Sequence, residues 1–176
     1  MLLYILIGLA VIIVGILIAA SLKPNTVHYE RSAVINASPE KILPHIADFH
    51  NWKPWSPWEK LDPTMKRDHL GAAHGVGAKY AWSGNNKAGE GTMEILAASN
   101  SGVKIDLRFI RPFKNDCITH FYFTPQGHAT TVRWTMDGPN LFMGKLMSLF
   151  IPMDKMIGKD FESGLAGLKA QAEKHN

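Results

Sequence analysis

The chain opens with one unbroken apolar segment, and shorter apolar runs separated by polar turns follow it. No charged residue occurs from Leu2 through Leu22. A helix of about 20 apolar residues matches the roughly 30 Å hydrocarbon core of a bilayer. A cleaved signal peptide, the main alternative, has a basic start and a shorter apolar core than this segment. The pattern therefore predicts a transmembrane anchor at residues 1–23.

Basic residues next to this segment indicate its orientation. Lys23 follows the apolar stretch directly and Arg31 lies a little further on, whereas only the terminal amine precedes it. Loops rich in Lys and Arg tend to stay on the cytoplasmic side of a membrane. The sequence therefore predicts a single-pass membrane protein whose soluble domain is cytoplasmic.

Residues 24–176 have the patterning of one folded domain. Val27–Ala37 mixes β-branched and polar residues, which is typical of a strand. Ser38–Glu40 then supplies an N-cap, a proline at the first helical position and an acid in the first turn, so a helix starts there. Phe49–Pro63 contains three tryptophans and three prolines, which predicts an irregular segment with much aromatic surface to pack.

Short extended runs separated by turn signals continue from Met65 to Asp137, and they predict a meander of antiparallel strands. Apolar and polar side chains alternate over residues 103–109 (VKIDLRF) and again over residues 132–137 (VRWTMD). Successive side chains of a strand point to opposite faces of the sheet. One face of this sheet is therefore expected to be wet and the other covered.

The C-terminal stretch predicts the element that covers the sheet. From Met153 onward, apolar residues recur at helical spacing over about five turns, with charged residues between them. They are Met156, Ile157, Phe161, Leu165, Leu168 and Ala172. The sequence therefore predicts an α+β domain in which a curved antiparallel β-sheet packs on a long C-terminal α-helix.

Charge and reactive residues exclude several functional classes. The net charge of +4 is spread over 19 basic and 15 acidic residues without a basic run, so we expect a solvated surface and no nucleic-acid partner. A mild basic excess also suits a domain held near anionic lipid head groups. The eight histidines form no HExxH motif, and Cys117 is the single cysteine, so we predict no metal site and no cofactor.

Catalytic motifs are also missing from the pattern. No serine lies in a GxSxG turn, and Cys117 sits in a strand-like run as a buried apolar residue. Acid/base chemistry is conceivable for His120 and Glu94 by residue type alone, whereas the alternation places Asp106 on the outer face. The sequence therefore assigns no catalytic residue.

Aromatic residues and methionines form the most distinctive signal. Core packing could use all of them, but a curved sheet that grips a helix tends to leave a cavity between the layers. Methionine is flexible enough to line an opening that admits guests of imprecise shape. We therefore predict a hydrophobic ligand site with four aromatic wall residues and a methionine-rich opening, formed by Trp82, Phe109, Phe121, Trp134, Met143, Met147, Met153 and Met156.

Four runs of the chain resemble the SRPBCC superfamily, which includes START lipid-transfer domains and polyketide cyclases. These runs are ERSAVINASPEKI (Glu30–Ile42), WKPWSPWEKLDPTM (Trp52–Met65), GEGTMEI (Gly89–Ile95) and MDKMIGKDFESGLAGLK (Met153–Lys169). The resemblance spans nearly the whole chain and is most specific to bacterial proteins of the polyketide cyclase or lipid-transport type. It implies a START-like helix-grip domain at residues 24–176 behind the anchor.

The resemblance leaves the function open, because this superfamily hosts carriers, enzymes and chaperone partners on one scaffold. The first interpretation is a non-enzymatic, membrane-anchored protein that binds or transports a hydrophobic small molecule or lipid. The alternatives are an enzyme similar to polyketide cyclases and dehydratases, and a partner-binding domain similar to the activator of the Hsp90 ATPase. An enclosed apolar cavity would favour the first two, and a filled core would favour the third.

Overall fold

The computed structural model describes residues 1–175. Its helices are α1 (Leu2–Ser21), α2 (Pro39–Ala47), α3 (Phe142–Met147) and α4 (Met153–Ala172), and short 3-10 helices cover Phe49–Asn51, Pro57–Lys60 and Glu173–His175. Its strands are β1 (Thr26–Ile35), β2 (Lys66–Gly71), β3 (Ala78–Ser83), β4 (Glu90–Ser99), β5 (Gly102–Arg111), β6 (Asn115–Gln126) and β7 (Ala129–Pro139).

The strands form one antiparallel sheet in the order β1-β7-β6-β5-β4-β3-β2. From β2 to β7, each strand pairs with its neighbour in the chain, as expected of a meander. β1 then closes on β7, with Thr26 opposite Pro139 and Ile35 opposite Thr130. α4 packs across the inner face of this sheet, chiefly against β1. The predicted helix-grip fold is confirmed.

Alternation along the strands decides which side chains meet α4. In β5, Val103 and Ile105 are fully buried, whereas Lys104 and Arg108 on the other face are exposed. β7 follows the same rule with one exception, because Thr135 on the outer face is also buried. The inner face carries the core, as residues 103–109 and 132–137 predict.

The tryptophan-rich segment between α2 and β2 is irregular, and two of its side chains hold it against the end of α2. Trp52 Nε1 donates to the carbonyl of Ile46 at 3.0 Å, and Trp55 Nε1 donates to the carbonyl of His45 at 3.0 Å. Both indoles are thereby buried without leaving an N–H group unpaired. The segment forms part of the layer that faces the sheet.

Close contacts fix the position of α4. The Arg31 side chain lies across Gly158, where a Cβ atom would overlap the guanidinium. It binds Asp154 Oδ2 at 3.0 Å and Glu162 Oε1 at 2.9 Å, one on each side of that glycine. The predicted apolar stripe is correct for Phe161, Leu165, Leu168 and Ala172, which are buried, but it is wrong for Met156. That side chain is 48% exposed, whereas Met153 and Ile157 pack against the core.

α1 is the one described helix whose length and composition would allow it to cross a membrane, and a signal sequence near an N-terminus meets the same criteria. It packs against α3, and Ala20 near its end is fully buried. The linker that follows is bonded to the domain: Asn140 Nδ2 donates to the Pro24 carbonyl at 3.0 Å, and Lys145 Nζ donates to Asn25 Oδ1 at 2.6 Å. The junction between α1 and the domain is therefore held in a defined geometry.

Candidate functional site

A partly enclosed cavity of about 180 Å³ lies between the inner face of the sheet, α4 and the tryptophan-rich segment. Its walls are mostly apolar, and aromatic side chains form much of their area. The lining residues from the sheet include Tyr80, Trp82, Met93, Leu107, Phe109, Trp134 and Met136; those from the other layer include Trp52, Trp58, Met65, Ile157 and Phe161.

Two small residues position the Trp82 ring at the edge of the cavity. Gly91 lies opposite Trp82 in the pairing of β3 with β4, and a Cβ atom there would overlap the indole. Trp82 Nε1 donates to the carbonyl of Ala88 at 3.0 Å, in the turn that joins the two strands. The ring therefore lies flat over the glycine, with its polar N–H satisfied, and contacts Phe109 edge to face at 6.1 Å.

A buried polar cluster closes one side of the cavity. The Glu59 side chain is 7% exposed, and it accepts hydrogen bonds from Arg67 Nε at 2.6 Å and from the Tyr80 hydroxyl. Burial and the Glu59 carboxylate both raise the pKa of Tyr80. Since the charge of Glu59 is paired and bonded, this cluster is a structural wall that keeps the tryptophan-rich segment on β2 and β3.

Three other lining side chains have polar groups that bond to no residue the structure describes. They are the Trp58 indole N–H, the Ser56 hydroxyl and the Asp160 carboxylate. Ser56 is only 1% exposed as a residue, and it lines the cavity. Burial raises the pKa of Asp160, which is half-buried at the edge of α4. These groups are available to a guest in the cavity.

The half-buried lining residues indicate that the cavity opens at the end of the sheet where α1 enters. The half-buried lining residues Trp82, Phe109 and Met136 lie near the last residues of β3, β5 and β7. In an antiparallel sheet these strand ends lie on the same side as the first residues of β1, because Thr26 pairs with Pro139. The deep wall, by contrast, is formed by Trp52 and Leu107, which are buried.

A family model described as polyketide cyclase / dehydrase and lipid transport matches residues 26–173. The chain belongs to this family. A search among curated proteins found no significant match. The matched range covers the domain from the start of β1 to the end of α4 and leaves out α1.

Solved structures of the same fold share little sequence with this family member. Norcoclaurine synthase from Thalictrum flavum, solved in complex with dopamine and hydroxybenzaldehyde, superposes with a TM-score of 0.64 at 11% identity over 90% of this chain and 92% of its own. A protein from Chromobacterium violaceum gives 0.58 at 19% identity over 86% and 99%. The di-domain ARO/CYC StfQ from the steffimycin biosynthetic pathway gives 0.65 at 9% identity over 86% and 52%. At these identities the likeness concerns the fold.

Three of the four predicted wall aromatics line the cavity: Trp82, Phe109 and Trp134. Phe121 lies on the same face but is fully buried, with its ring 4.5 Å from that of Trp134 and edge-on to Trp55. It packs in the core beyond the cavity and does not line it. Strand alternation assigned its face correctly and carried no information on its distance from the open end.

The four methionines that were predicted to form the opening lie outside the lining of the cavity. Met143 and Met147 belong to α3, which packs on α1, and Met153 packs against the core at the start of α4. Met156 and Met143 are 48% and 43% exposed. None of the four methionines is among the lining residues of the cavity. Met65, Met93 and Met136 line it instead.

The polar lining residues carry little motif signal in the sequence. Glu59 and Ser56 stand in the run between prolines, and nothing in their spacing marks them. Asp160 has a weak signal, because helical spacing puts it at the border of the apolar stripe of α4, three residues after Ile157.

Reactive groups outside the cavity are inert or solvated. Burial raises the pKa of the Cys117 thiol to about 11, so it is a poor nucleophile. His120 and Glu94 lie on the outer face of the sheet, where His120 stacks on Tyr122 at 3.8 Å. In the part of the chain that the structure describes, no three His, Cys, Asp or Glu side chains form a group that could hold a metal ion.

Proposed function

We propose that the chain is a membrane-anchored, non-enzymatic carrier or receptor for a small hydrophobic molecule, which it holds between the sheet and α4. The observation that carries this proposal is the apolar cavity with its open side at one end of the sheet. An open, unfilled space of this kind also argues against a partner-binding domain that has a filled core. The family description, which includes lipid transport, is consistent with it.

The volume of the cavity limits the guest. An apolar cavity of roughly 150 Å³ in another protein is large enough for benzene. A space of about 180 Å³ therefore suits one substituted ring or an acyl or isoprenoid segment of similar bulk. A longer guest would leave through the open side past Trp82 and Ile157. Its polar group would meet the unpaired Asp160 carboxylate or the Trp58 N–H, which favours a hydroxyl or amine over a plain hydrocarbon.

The first experiment identifies the guest. Full-length chain is purified in mild detergent, extracted with organic solvent and analysed by mass spectrometry. Candidate compounds, namely fatty acids, isoprenoid alcohols and monocyclic phenols, are then tested for a change in tryptophan fluorescence. A ligand at 100 times its Kd should raise the free energy of unfolding by about 2.7 kcal/mol.

A matched pair of variants links the response to the cavity. Ala88→Phe places a ring in the lining and should abolish the response, whereas Ala81→Phe on the outer face of the same strand region should leave it unchanged. If no compound perturbs either the fluorescence or the stability, and no compound is extracted, the carrier proposal fails.

A second candidate is an enzyme of the cyclase or dehydratase type, and Asp160 is the observation that favours it. A carboxyl whose pKa is raised by burial beside an apolar cavity is suited to proton transfer. Incubation of the bound compound with the chain, followed by mass spectrometry, separates the two functions. An enzyme converts the compound and loses turnover in Asp160→Asn, whereas a carrier returns the compound unchanged.

Anchoring by α1 and a cytoplasmic domain complete the proposal. The uncharged span and the basic residues after it support both parts. Full-length chain should stay with membranes after carbonate extraction, and a shortened soluble chain would instead indicate a cleaved signal. A reporter fused after Asn176 should be active in the cytoplasm, and activity only on the other side would overturn the orientation.

A further inference from the structure

Large apolar side chains are exposed around the junction between α1 and the domain. We name this set the apolar rim: Ile110 (40% exposed), Phe113 (50%), Leu141 (48%), Phe142 (50%), Phe150 (69%) and Ile151 (37%). Exposed apolar side chains scattered singly over a surface are ordinary, whereas a contiguous patch marks an interaction site. The charged residues near the apolar rim and the position of the rim next to α1 indicate which partner it fits.

Rim residues from separate parts of the chain lie near one another. Leu141 borders the same shallow surface depression as Ile110, so the end of β5 and the start of α3 adjoin. At the other end of α3, the backbone N–H groups of Phe150 and Ile151 donate to the Met147 carbonyl, at 3.0 and 2.9 Å. The chain after α3 is thus folded back onto that helix. Rim residues thus lie directly before, within and shortly after α3, and α3 packs on α1.

The bonded linker fixes the rim relative to α1. α1 ends at Ser21, and the hydrogen bonds from Asn140 and Lys145 hold Pro24 and Asn25 against the domain. Only residues 22 and 23 therefore lie between the end of α1 and the first linker residue that is bonded to the domain. α3 is consequently held close to the end of α1. If α1 spans a bilayer, this short connection brings the rim to the level where the helix leaves the hydrocarbon.

Charges near the rim suit a lipid surface. Lys23 follows α1, Lys114 lies beside Phe113, and Lys155 lies in the first turn of α4. None of the three forms an ion pair with a residue that the structure describes. Lysines beside exposed aromatic and aliphatic side chains are typical of protein surfaces that lie in the head-group region of a membrane.

We propose that the apolar rim rests in the membrane interface and that the open side of the cavity consequently faces the bilayer. The half-buried lining residues lie at the same end of the sheet as the rim, so a hydrophobic guest passes between lipid and cavity without crossing water. This inference rests on the proposed anchoring by α1, and it adds a second contact with the membrane.

Depth-dependent quenching tests the placement of the rim. Full-length chain is reconstituted in vesicles of neutral and anionic phospholipid, with Phe142→Cys or Phe150→Cys labelled by an environment-sensitive nitrobenzoxadiazole dye. The native Cys117 is buried and its pKa is raised to about 11 by that burial, so it stays unlabelled. The control is His128→Cys, in the turn after β6 at the opposite end of the sheet.

Labels at positions 142 and 150 should emit at shorter wavelength than the label at 128, and spin-labelled lipids should quench them several-fold more strongly. Chain that floats with the vesicles but shows equal, weak quenching at all three positions overturns the rim placement and leaves the anchor intact. Chain that does not float with the vesicles overturns the anchor itself, and the rim placement with it.

Discussion

The two ends of the space between the sheet and α4 are built from the same elements and filled differently. At the end remote from α1, the layers interlock through side chains that are at most 1% exposed: Val103, Phe121, Val132, Leu165 and Leu168. At the end next to α1, Phe109, Met136 and Ile157 stay half-buried around a cavity. The comparison shows that strand and helix periodicity determine which face is covered. Side-chain size and polarity determine whether the space between the sheet and α4 is filled.

The largest expected effect compares two side chains of α4 that line the cavity, one fully buried and one half-buried at the open end. Phe161 is 1% exposed and stacks on Trp134 at 4.3 Å. Phe161→Ala should lower the free energy of unfolding by about 3–5 kcal/mol. Ile157→Ala, one turn earlier, should cost about 1 kcal/mol, because that side chain is only partly buried and borders the cavity. Urea unfolding of the full chain in detergent, followed by tryptophan fluorescence, measures both. Equal losses would mean that the two ends are packed alike.

The second prediction concerns Gly158, which lets α4 approach β1. Gly158→Ala should displace Arg31 and cost about 1–2 kcal/mol, although alanine has the higher helix propensity. In an Arg31→Ala background the same substitution should become neutral or stabilising by up to about 1 kcal/mol. The double-mutant cycle in urea unfolding checks the reversal of sign. A cost that persists without Arg31 would assign the effect to the backbone.

The third prediction tests the polar wall of the open end. Tyr80→Phe removes the hydroxyl that donates to the buried Glu59 carboxylate, and it should cost about 1.5–3 kcal/mol. Tyr122→Phe is the matched control, because the Tyr122 hydroxyl on the outer face has no hydrogen-bond partner among the described residues. Its effect should be within about 0.5 kcal/mol. Similar effects for both tyrosines would show that the Glu59 cluster contributes little.

The smallest effect is expected at Asp160, and it depends on pH. Burial raises the pKa of this carboxyl, so the folded chain binds the proton more tightly than the unfolded chain. Stability therefore falls as the pH rises through the pKa. Asp160→Asn removes the cost of burying the charged carboxylate. The variant should therefore be slightly more stable than the original chain at pH 7, but not at pH values below the normal pKa range of aspartate. Urea unfolding at both pH values checks the sign. A variant that is less stable at pH 7 would mean that the Asp160 carboxylate has a stabilising partner.

The sequence allowed the fold to be predicted because its signals are local and repeated. Alternation at residues 103–109 and the helical spacing of Phe161, Leu165 and Leu168 each report one buried face, and two such faces can only cover each other. Phe121 shows where this reasoning stops. Its position in the alternation gives the face but not the distance from the open end, which depends on the register of six strand pairs.

The candidate site was harder to predict, because a cavity depends on which space the surrounding side chains leave empty. The segment that contains Met143 and Met147 has the composition expected of a cavity opening. Composition does not identify the surface that a segment covers, and this one packs on α1. Glu59 and Ser56 belong to an irregular segment, and the backbone path of that segment, which the sequence does not reveal, brings them to the cavity. Asp160 carried a weak signal, as a charged residue at the border of the apolar stripe of α4.

The bonded linker at Pro24 and Asn25 also sets the reach of the domain. A flexible tether lets an attached domain explore a volume that grows with linker length, whereas a short fixed junction confines it to one place and one orientation. For a chain anchored as proposed, the cavity therefore stays at a constant distance from the membrane that holds the anchor. Exchange with a second membrane would require that membrane to approach to within the dimensions of the domain, so a protein anchored in this way would meet a guest by lateral diffusion in its own bilayer.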